Sequence, residues 1–249
     1  PPFPQLSSLT IGNCEGLTSL PCLPALTKLD VERCEHLESL PLFPQLAALT
    51  INRCEGLTSL PCLPALTWLE VWRCERLESL PLFPRLAALT IGNCNRLTSL
   101  PCLPALTKLS LHSCERLGSL PLFPRLASLT TYSCERLTSL PCLPALRYLD
   151  VHDCRCMQSL PPFPELDWLC VAFMDRMPSI AIMPKLCTLW VSHCKELELS
   201  QDAFDSLPLL EDLHFDECPG LTRIPSVPSL CSLDVSDCTQ LKFLPPLPA

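Results

Sequence analysis

The chain of 249 residues has little glycine and no long apolar run. Its six glycines exclude collagen and are too few and too scattered for a phosphate-binding loop. No apolar run approaches the ~18 residues that a membrane-spanning helix needs. Positive charge is also scarce, because 18 Lys and Arg stand against 26 Asp and Glu and leave a net charge of −8. We therefore expect neither nucleic acid nor membrane insertion among its interactions.

Recognisable catalytic motifs are missing as well. The sequence contains no G-x-G-x-x-G, no G-x-S-x-G and no H-E-x-x-H. Its acidic residues recur with a repeat or cluster near the C-terminus, so no catalytic carboxylate pair stands out. We predict a protein without enzymatic activity and without a cofactor. Disorder is not expected either, because 48% of the residues are hydrophobic. The chain begins Pro1-Pro2-Phe3-Pro4 without a signal peptide, and we expect a fragment of a larger protein.

What the sequence has in abundance is repetition. LPCLPALTKLDVERCEHLES begins at position 20 and LPLFPQLAALTINRCEGLTS at position 40, and LPCLPAL returns every 40 residues. Within each repeat, the stretch x-L-x-V-x alternates polar and apolar residues, which predicts a short strand with one buried face. Two prolines per repeat remove backbone donors between strands, so no long helix is expected there.

The phrase L-x-x-L-x-[VI]-x-x-C-x-x-L-x-S-L-P resembles the leucine-rich repeat, and the resemblance covers nearly the whole chain. It implies an α/β-type, mostly β solenoid: a curved horseshoe with a parallel sheet on its concave face and irregular proline-rich or short helical-turn segments on its convex face. We expect a single domain over 1–249, regular over 1–179, with irregular longer repeats over 180–223 and a final repeat over 224–249. About twelve repeats begin at Leu6, Leu26, Leu46, Leu66, Leu86, Leu106, Leu126, Leu146, Leu166, Leu186, Leu210 and Leu230.

Two branches of this family share features with the chain. The 20-residue period and the L-P-x-L-P phrase resemble secreted bacterial effectors, which usually carry Asn where this chain carries Cys. The C-x-x-L-x-S-L-P phrase resembles plant intracellular immune receptors, whose repeats are generally longer. The longer late repeat favours the second branch. It predicts a short helical turn, capped by Ser200 or Asp202, that packs Ala203, Phe204 and Leu207 on the core.

Eleven of the 19 cysteines share one position in the repeat, at the turn that leaves each strand. Regular spacing of this kind does not resemble a disulfide framework, so we predict a ladder of small buried thiols and a reducing, cytoplasmic compartment. The nearest approach to a metal cluster is Cys154 and Cys156 with His152, which lacks a completing motif, and no metal site is predicted. The ladder consists of Cys14, Cys34, Cys54, Cys74, Cys94, Cys114, Cys134, Cys154, Cys194, Cys218 and Cys238.

The outward positions of the strands hold the rare residue types. They carry all four tryptophans, both tyrosines and four of the five histidines. Aromatic and arginine side chains are enriched at interface hot spots, so we predict a protein ligand on the concave face. The alternative is that these rings stack across strands and only stabilise the sheet. The predicted contact residues are Arg33, Arg53, Trp68, Trp72, Arg73, His112, Tyr132, Tyr148, His152, Trp168, Phe173, Trp190, His193 and His214.

Three functions follow from these features. The first is a ligand-sensing or autoinhibitory segment of an intracellular immune receptor, by resemblance. The second is a bacterial effector domain that captures a host protein. The third is a consensus-like or designed repeat scaffold without a natural ligand, which the near-identical repeats favour. No capping motif is visible at either end, so we expect flanking domains or a partner to cover the ends.

Overall fold

The structure is a computed structural model that describes residues 3–176, 179–180, 182–197, 199 and 201–244. The chain divides into two compact units, Pro1–Leu126 and Ala127–Ala249. Each unit is a mostly β solenoid with a parallel sheet, of the leucine-rich-repeat type, which confirms the predicted fold class. The prediction of a single domain stays a prediction. No helix in the described part of the chain is both long and apolar enough to span a membrane.

The first unit contains six strands of five residues, which pair in chain order. Each residue lies opposite the residue 20 positions later, as Leu29 does to Leu49, so equivalent positions form straight columns across the sheet. The strands are β1 Ser8–Gly12, β2 Lys28–Glu32, β3 Ala48–Asn52, β4 Trp68–Trp72, β5 Ala88–Gly92 and β6 Lys108–His112.

Among its described residues, the second unit also contains six five-residue strands in parallel register, and two short strands that pair with each other. Its helix α1 confirms the predicted helical turn in the longer repeat, with Phe204 and Leu207 buried. Ser200 lies outside the described residues, and Asp202 lies within the helix, so the prediction that Asp202 caps it is wrong. The elements are β7 Ser128–Tyr132, β8 Tyr148–His152, β9 Ser159–Leu160, β10 Trp168–Ala172, β11 Ser179–Ile180, β12 Thr188–Ser192, α1 Gln201–Asp205, β13 Asp212–Asp216 and β14 Ser232–Ser236.

The core of each unit consists of columns of identical or similar side chains. In β2, Leu29 and Val31 point inward and are fully buried, as the alternating pattern predicts. The proline-rich return segments add a further buried column, in which Phe43 and Phe83 alternate with Leu23 and Leu63. The 40-residue superperiod therefore alternates a large and a smaller apolar side chain between neighbouring repeats in this buried column.

Each five-residue strand is followed by a residue with left-handed backbone conformation. Twelve such residues, none of them glycine, have φ between 46° and 56°. At this position the chain leaves the strand, and the N–H of Arg33, for example, still donates to the carbonyl of Asn52 at 2.8 Å. The recurring backbone bond holds a conformation that costs most L-residues free energy.

The cysteine ladder lies directly after the left-handed residues, and all 19 cysteines are free thiols. Nine of the eleven ladder cysteines are buried, and Cys54 for example lies 3.9 Å from the carbonyl of Val31 and 3.7 Å from that of Asn52. Burial raises the pKa of Cys54 and of Cys94 to about 11. Cys14 is exposed and Cys238 half-buried, so the expectation of burial is wrong for these two. They follow β1 and β14, which pair with another strand on one side only among the described residues.

Candidate functional site

In each unit, the outward side chains of the strands and the left-handed residue after each strand form one surface, which we call the outer face. None of the fourteen predicted contact residues is buried, and all lie on this face as exposed or half-buried side chains. The sequence thus placed them on the correct side of the sheet. Ligand binding by them stays a prediction. Arg33, Arg53, Trp68, Trp72, Arg73 and His112 belong to the first unit, and Tyr132, Tyr148, His152, Trp168, Phe173, Trp190, His193 and His214 to the second.

In the first unit, the ring of Trp72 lies across the neighbouring strand. Its centroid is 5.0 Å from that of His112, two strands away, and its Nε1 donates to Glu70 Oε1 at 2.6 Å. The strand between them contributes Gly92, where an added Cβ would lie 2.1 Å from the Trp72 ring. Glycine at this position therefore lets the indole lie flat on the sheet. Burial lowers the pKa of His112.

Beside this ring, the predicted arginine column lines a shallow cleft of about 420 Å³ together with Glu32, Asn52, Glu70 and Trp72. Arg33 is compensated locally, since its Nε lies 3.6 Å from Glu32 Oε1. Trp68 lies outside the cleft with 53% of its surface exposed, and it belongs to no ring pair among the described residues. Three arginines and two glutamates therefore line this cleft, together with the indole of Trp72.

In the second unit, aromatic rings contact one another from strand to strand. Tyr148 and Trp168 are stacked, with centroids 4.2 Å apart and ring planes 2° from parallel. Phe173 stacks on His193 at 4.1 Å, although its φ of 56° is unusual for a bulky residue. The sheet register makes these pairs, because Tyr148 lies directly opposite Trp168. A third stacked pair consists of Trp190 and His214, at 4.7 Å.

A buried carboxylate lies between the rings of the second unit. Asp150, in the middle of β8, is only 6% exposed. Its Oδ2 accepts hydrogen bonds from Tyr132 Oη at 3.2 Å and from Tyr148 Oη at 3.5 Å. Burial, together with the negative charge of Asp150, raises the pKa of Tyr148 to about 12, and the same two causes raise the pKa of Tyr132. Both phenols therefore act as neutral donors to this carboxylate.

His152 and Cys170 complete the group around Asp150. His152 Nε2 lies 2.6 Å from Asp150 Oδ1 and 3.7 Å from Cys170 Sγ. Burial and the nearby carboxylate raise the pKa of the Cys170 thiol. Sequence reasoning selected His152 but missed Asp150 and Cys170. The sequence did contain a signal for both residues. Asp150 lies two positions before His152 on the same strand and therefore on the same face, and Cys170, 20 positions after Asp150, lies opposite it on the neighbouring strand.

Of two further groups of metal-ligand residue types, only one is brought together by the fold. The Cys154–Cys156–His152 cluster is not assembled, because Cys154 points into the core while the His152 ring lies on the outer face and Cys156 is exposed. By contrast, His193 lies close to two acidic residues, with its Nε2 3.3 Å from Glu217 Oε2 and Asp216 nearby. His193 and Glu217 also line a cleft of about 470 Å³, together with Arg155, Phe173, Met174, Asp175, Lys195, Pro219, Asp237 and Thr239.

Comparison with known proteins gives matches among solved structures, and the similarity is low. No protein-family model and no curated protein matches the chain. Among solved structures, it is similar to a leucine-rich repeat protein from Bacteroides ovatus, with 16% sequence identity and a TM-score of 0.42 over 95% of this chain and 78% of that one.

Proposed function

We propose that this protein is a non-catalytic recognition module, and that the outer face of its second unit binds another protein. The observation that carries the proposal is the exposure of large rings there: Phe173 is 48% and Trp190 39% exposed. Both rings are already held against a histidine, so binding would immobilise them at little further cost in side-chain entropy. Rigid aromatic side chains with free surface are typical of interface hot spots.

Stacking alone accounts for part of this surface. Tyr148 and Trp168 are half-buried by each other and by the sheet, which is sufficient reason for their presence. It does not by itself select Phe173, because a bulky side chain in left-handed conformation costs free energy that its stacking on His193 has to offset first. The unfavourable position of this ring supports a role in recognition.

The biological setting that we propose is an intracellular immune receptor, with this chain as its ligand-sensing or autoinhibitory segment. The C-x-x-L-x-S-L-P phrase supports that setting, and the bacterial effector is the alternative. A cytoplasmic location is supported by the free thiols, since oxidising compartments convert such cysteines to disulfides. Flanking domains or a partner would cover β1 and β14, whose inward residues are only half-buried.

The test compares two double variants in capture experiments from lysates of plant and animal cells, quantified by mass spectrometry. Phe173→Ser/Trp190→Ser removes the exposed rings of the outer face. Leu42→Ser/Leu82→Ser is the matched control, because these leucines are similarly exposed but lie in the proline-rich return segments. We expect a partner that the wild type and the control retain and that the outer-face variant loses by at least 10-fold.

Other outcomes separate the alternatives. A partner that is lost with the leucine variant instead would place the interface on the return segments and contradict the proposal. No specific partner for the wild type in any lysate would favour the scaffold without a natural ligand. Circular dichroism and thermal melting of both variants must match the wild type for the comparison to count.

A further inference from the structure

We propose that Asp150, His152 and Cys170 form a binding site for a divalent transition metal ion, best suited to zinc, on the outer face of the second unit. The inference is independent of the proposed protein ligand. It rests on the convergence of three different metal-ligand atoms in a chain whose sequence contains no recognised metal motif. Asp150 Oδ1, a ring nitrogen of His152 and Cys170 Sγ all lie within 4.8 Å of one another.

One of the distances matches a tetrahedral zinc site, and a second is shorter than such a site requires. Zinc bonds of about 2.1 Å to N and O and about 2.3 Å to S place ligand atoms about 3.4 to 3.6 Å apart. The observed separation of Cys170 Sγ from His152 Nε2 is 3.7 Å. The separation of Asp150 Oδ1 from His152 Nε2 is 2.6 Å and must widen by roughly 0.8 Å, which a small rotation of the imidazole or of the carboxylate provides.

The same distances argue against a catalytic triad of Cys, His and Asp. In such a triad the carboxylate contacts one ring nitrogen and the nucleophile the other, so that a proton passes across the imidazole. Here Asp150 and Cys170 both approach Nε2 of His152. Convergence on one nitrogen places all three donors around a common point instead.

The burial of the Asp150 carboxylate provides a second indication. Asp150 Oδ1 is buried on a side chain that is 9% exposed, and it lies 2.6 Å from His152 Nε2 without the geometry of a hydrogen bond. The other oxygen, Oδ2, is oriented by the hydroxyl groups of Tyr132 and Tyr148. Hydrogen bonds that orient a ligating carboxylate are a regular feature of metal sites. The two phenols thus leave Oδ1 directed at the point that His152 and Cys170 also face.

The donor set selects the class of metal. A carboxylate oxygen, an imidazole nitrogen and a sulfur suit zinc or cobalt, whereas calcium and magnesium take oxygen ligands. On binding, Cys170 releases its thiol proton to solvent and Sγ gives an electron pair to the metal. The two negative ligands then balance the double positive charge of the ion. Three protein ligands leave a fourth position open on the exposed side, for water or for a group of a bound partner.

The experiment titrates the metal-free full chain with zinc by calorimetry and with cobalt by absorption spectroscopy. Cobalt bound to a thiolate gives a charge-transfer band that oxygen and nitrogen ligands do not give. We expect one site per chain with that band, and a loss of zinc affinity for both Cys170→Ser and His152→Gln that exceeds the ~10- to 100-fold cost typical of residues that only orient a ligand. Cys156→Ser is the control for adventitious thiol binding, because it removes an exposed cysteine of the same unit.

A second readout does not depend on the folding of a variant. In the wild type, saturating zinc should slow alkylation of Cys170, followed by mass spectrometry, more than that of the half-buried Cys187. Equal zinc affinity of Cys170→Ser, Cys156→Ser and the wild type would overturn the proposal. So would a cobalt complex without the thiolate band, or equal protection of Cys170 and Cys187.

Discussion

The two units differ on their outer faces and agree on their inner ones. Inward positions carry the same leucines, such as Leu69 in the first unit and Leu169 in the second, and both are fully buried. Outward, the first unit carries mainly small or polar residues around Trp68 and Trp72, whereas the second carries stacked rings around a buried carboxylate. The repeat therefore fixes what points into the core and leaves the opposite face free to vary.

This difference shows where a function can be located in a repeat protein. An inward residue contacts its equivalents in both neighbouring repeats, so one change affects several contacts. An outward residue contacts the equivalent residue of the neighbouring strand only if both side chains are large. In the second unit, adjacent outward positions carry large side chains. Contacts between them, such as the hydrogen bonds from Tyr132 and Tyr148 to Asp150, hold polar groups in place that solvent would otherwise surround.

The largest predicted effect tests the shared inner face. Leu69→Ala and Leu169→Ala should each lower the free energy of unfolding by about 2 to 5 kcal/mol, because each leaves a cavity between fully buried neighbours. Urea denaturation followed by circular dichroism measures both. A loss below about 1 kcal/mol for either variant would mean that its repeat collapses around the deletion, and that the inner faces are not equivalent.

A smaller effect tests the difference between the outer faces. Trp168→Ala should destabilise by about 1 to 2 kcal/mol, because it removes a ring stacked on Tyr148 together with buried area. Trp68 occupies the equivalent strand position in the first unit. Trp68→Ala should lower the free energy of unfolding by roughly 0.5 kcal/mol or less, since more than half of the Trp68 surface is exposed. Equal losses in the same denaturation assay would show that the rings of the second unit are not coupled to its stability.

The tyrosines provide a pH-dependent test confined to the second unit. Burial and Asp150 raise the pKa of Tyr148 to about 12, above the ordinary value of 10. As the pH rises from 10 towards 12, the unfolded chain loses phenol protons that the folded chain keeps, so stability falls over that range. Ultraviolet titration of the two phenols should give late ionisation, and Asp150→Asn should move it to lower pH. An unshifted titration in this variant would remove the carboxylate as a cause.

Sequence reasoning predicted the fold and the face of the sheet, but not the groupings on that face. The alternation of apolar residues around Leu29 and Val31 determines which side is buried, and a fixed period fixes the register. The contact of Asp150 with His152 and Cys170 depends on rotamers as well as on register. The approach of Trp72 to His112 depends on Gly92 between them. A side chain at this position would collide with the Trp72 ring, and the sequence alone does not indicate that the ring lies there.

The burial of the cysteine ladder shows a second limit of the sequence. All eleven cysteines occupy the same repeat position, and the sequence treats them alike. Cys14 and Cys238 differ from the rest because burial requires a repeat on both sides, which is a property of position in the stack. The same reason applies to β1 and β14, whose inward side chains match the others in type but not in burial.

The smallest predicted effect concerns the left-handed residue after each strand, which differs between the units. Arg53 and Phe173 have nearly the same φ, 54° and 56°. Arg53→Gly should raise the free energy of unfolding by roughly 0.5 to 1 kcal/mol, because glycine adopts this conformation without a Cβ clash. Phe173→Gly relieves the same backbone but loses the stacking on His193, about 0.5 to 1.5 kcal/mol, so its net effect should be close to zero or negative.

Thermal melting of the two glycine variants beside Asn93→Gly separates these contributions. Asparagine tolerates left-handed backbone, so glycine at Asn93 should change stability by only a few tenths of a kcal/mol. A gain for Phe173→Gly as large as that for Arg53→Gly would mean that the Phe173 ring adds nothing to the fold. Its retention in a strained position would then require a binding partner. No gain for Arg53→Gly would instead show that the backbone entropy glycine loses on folding cancels the strain that it relieves.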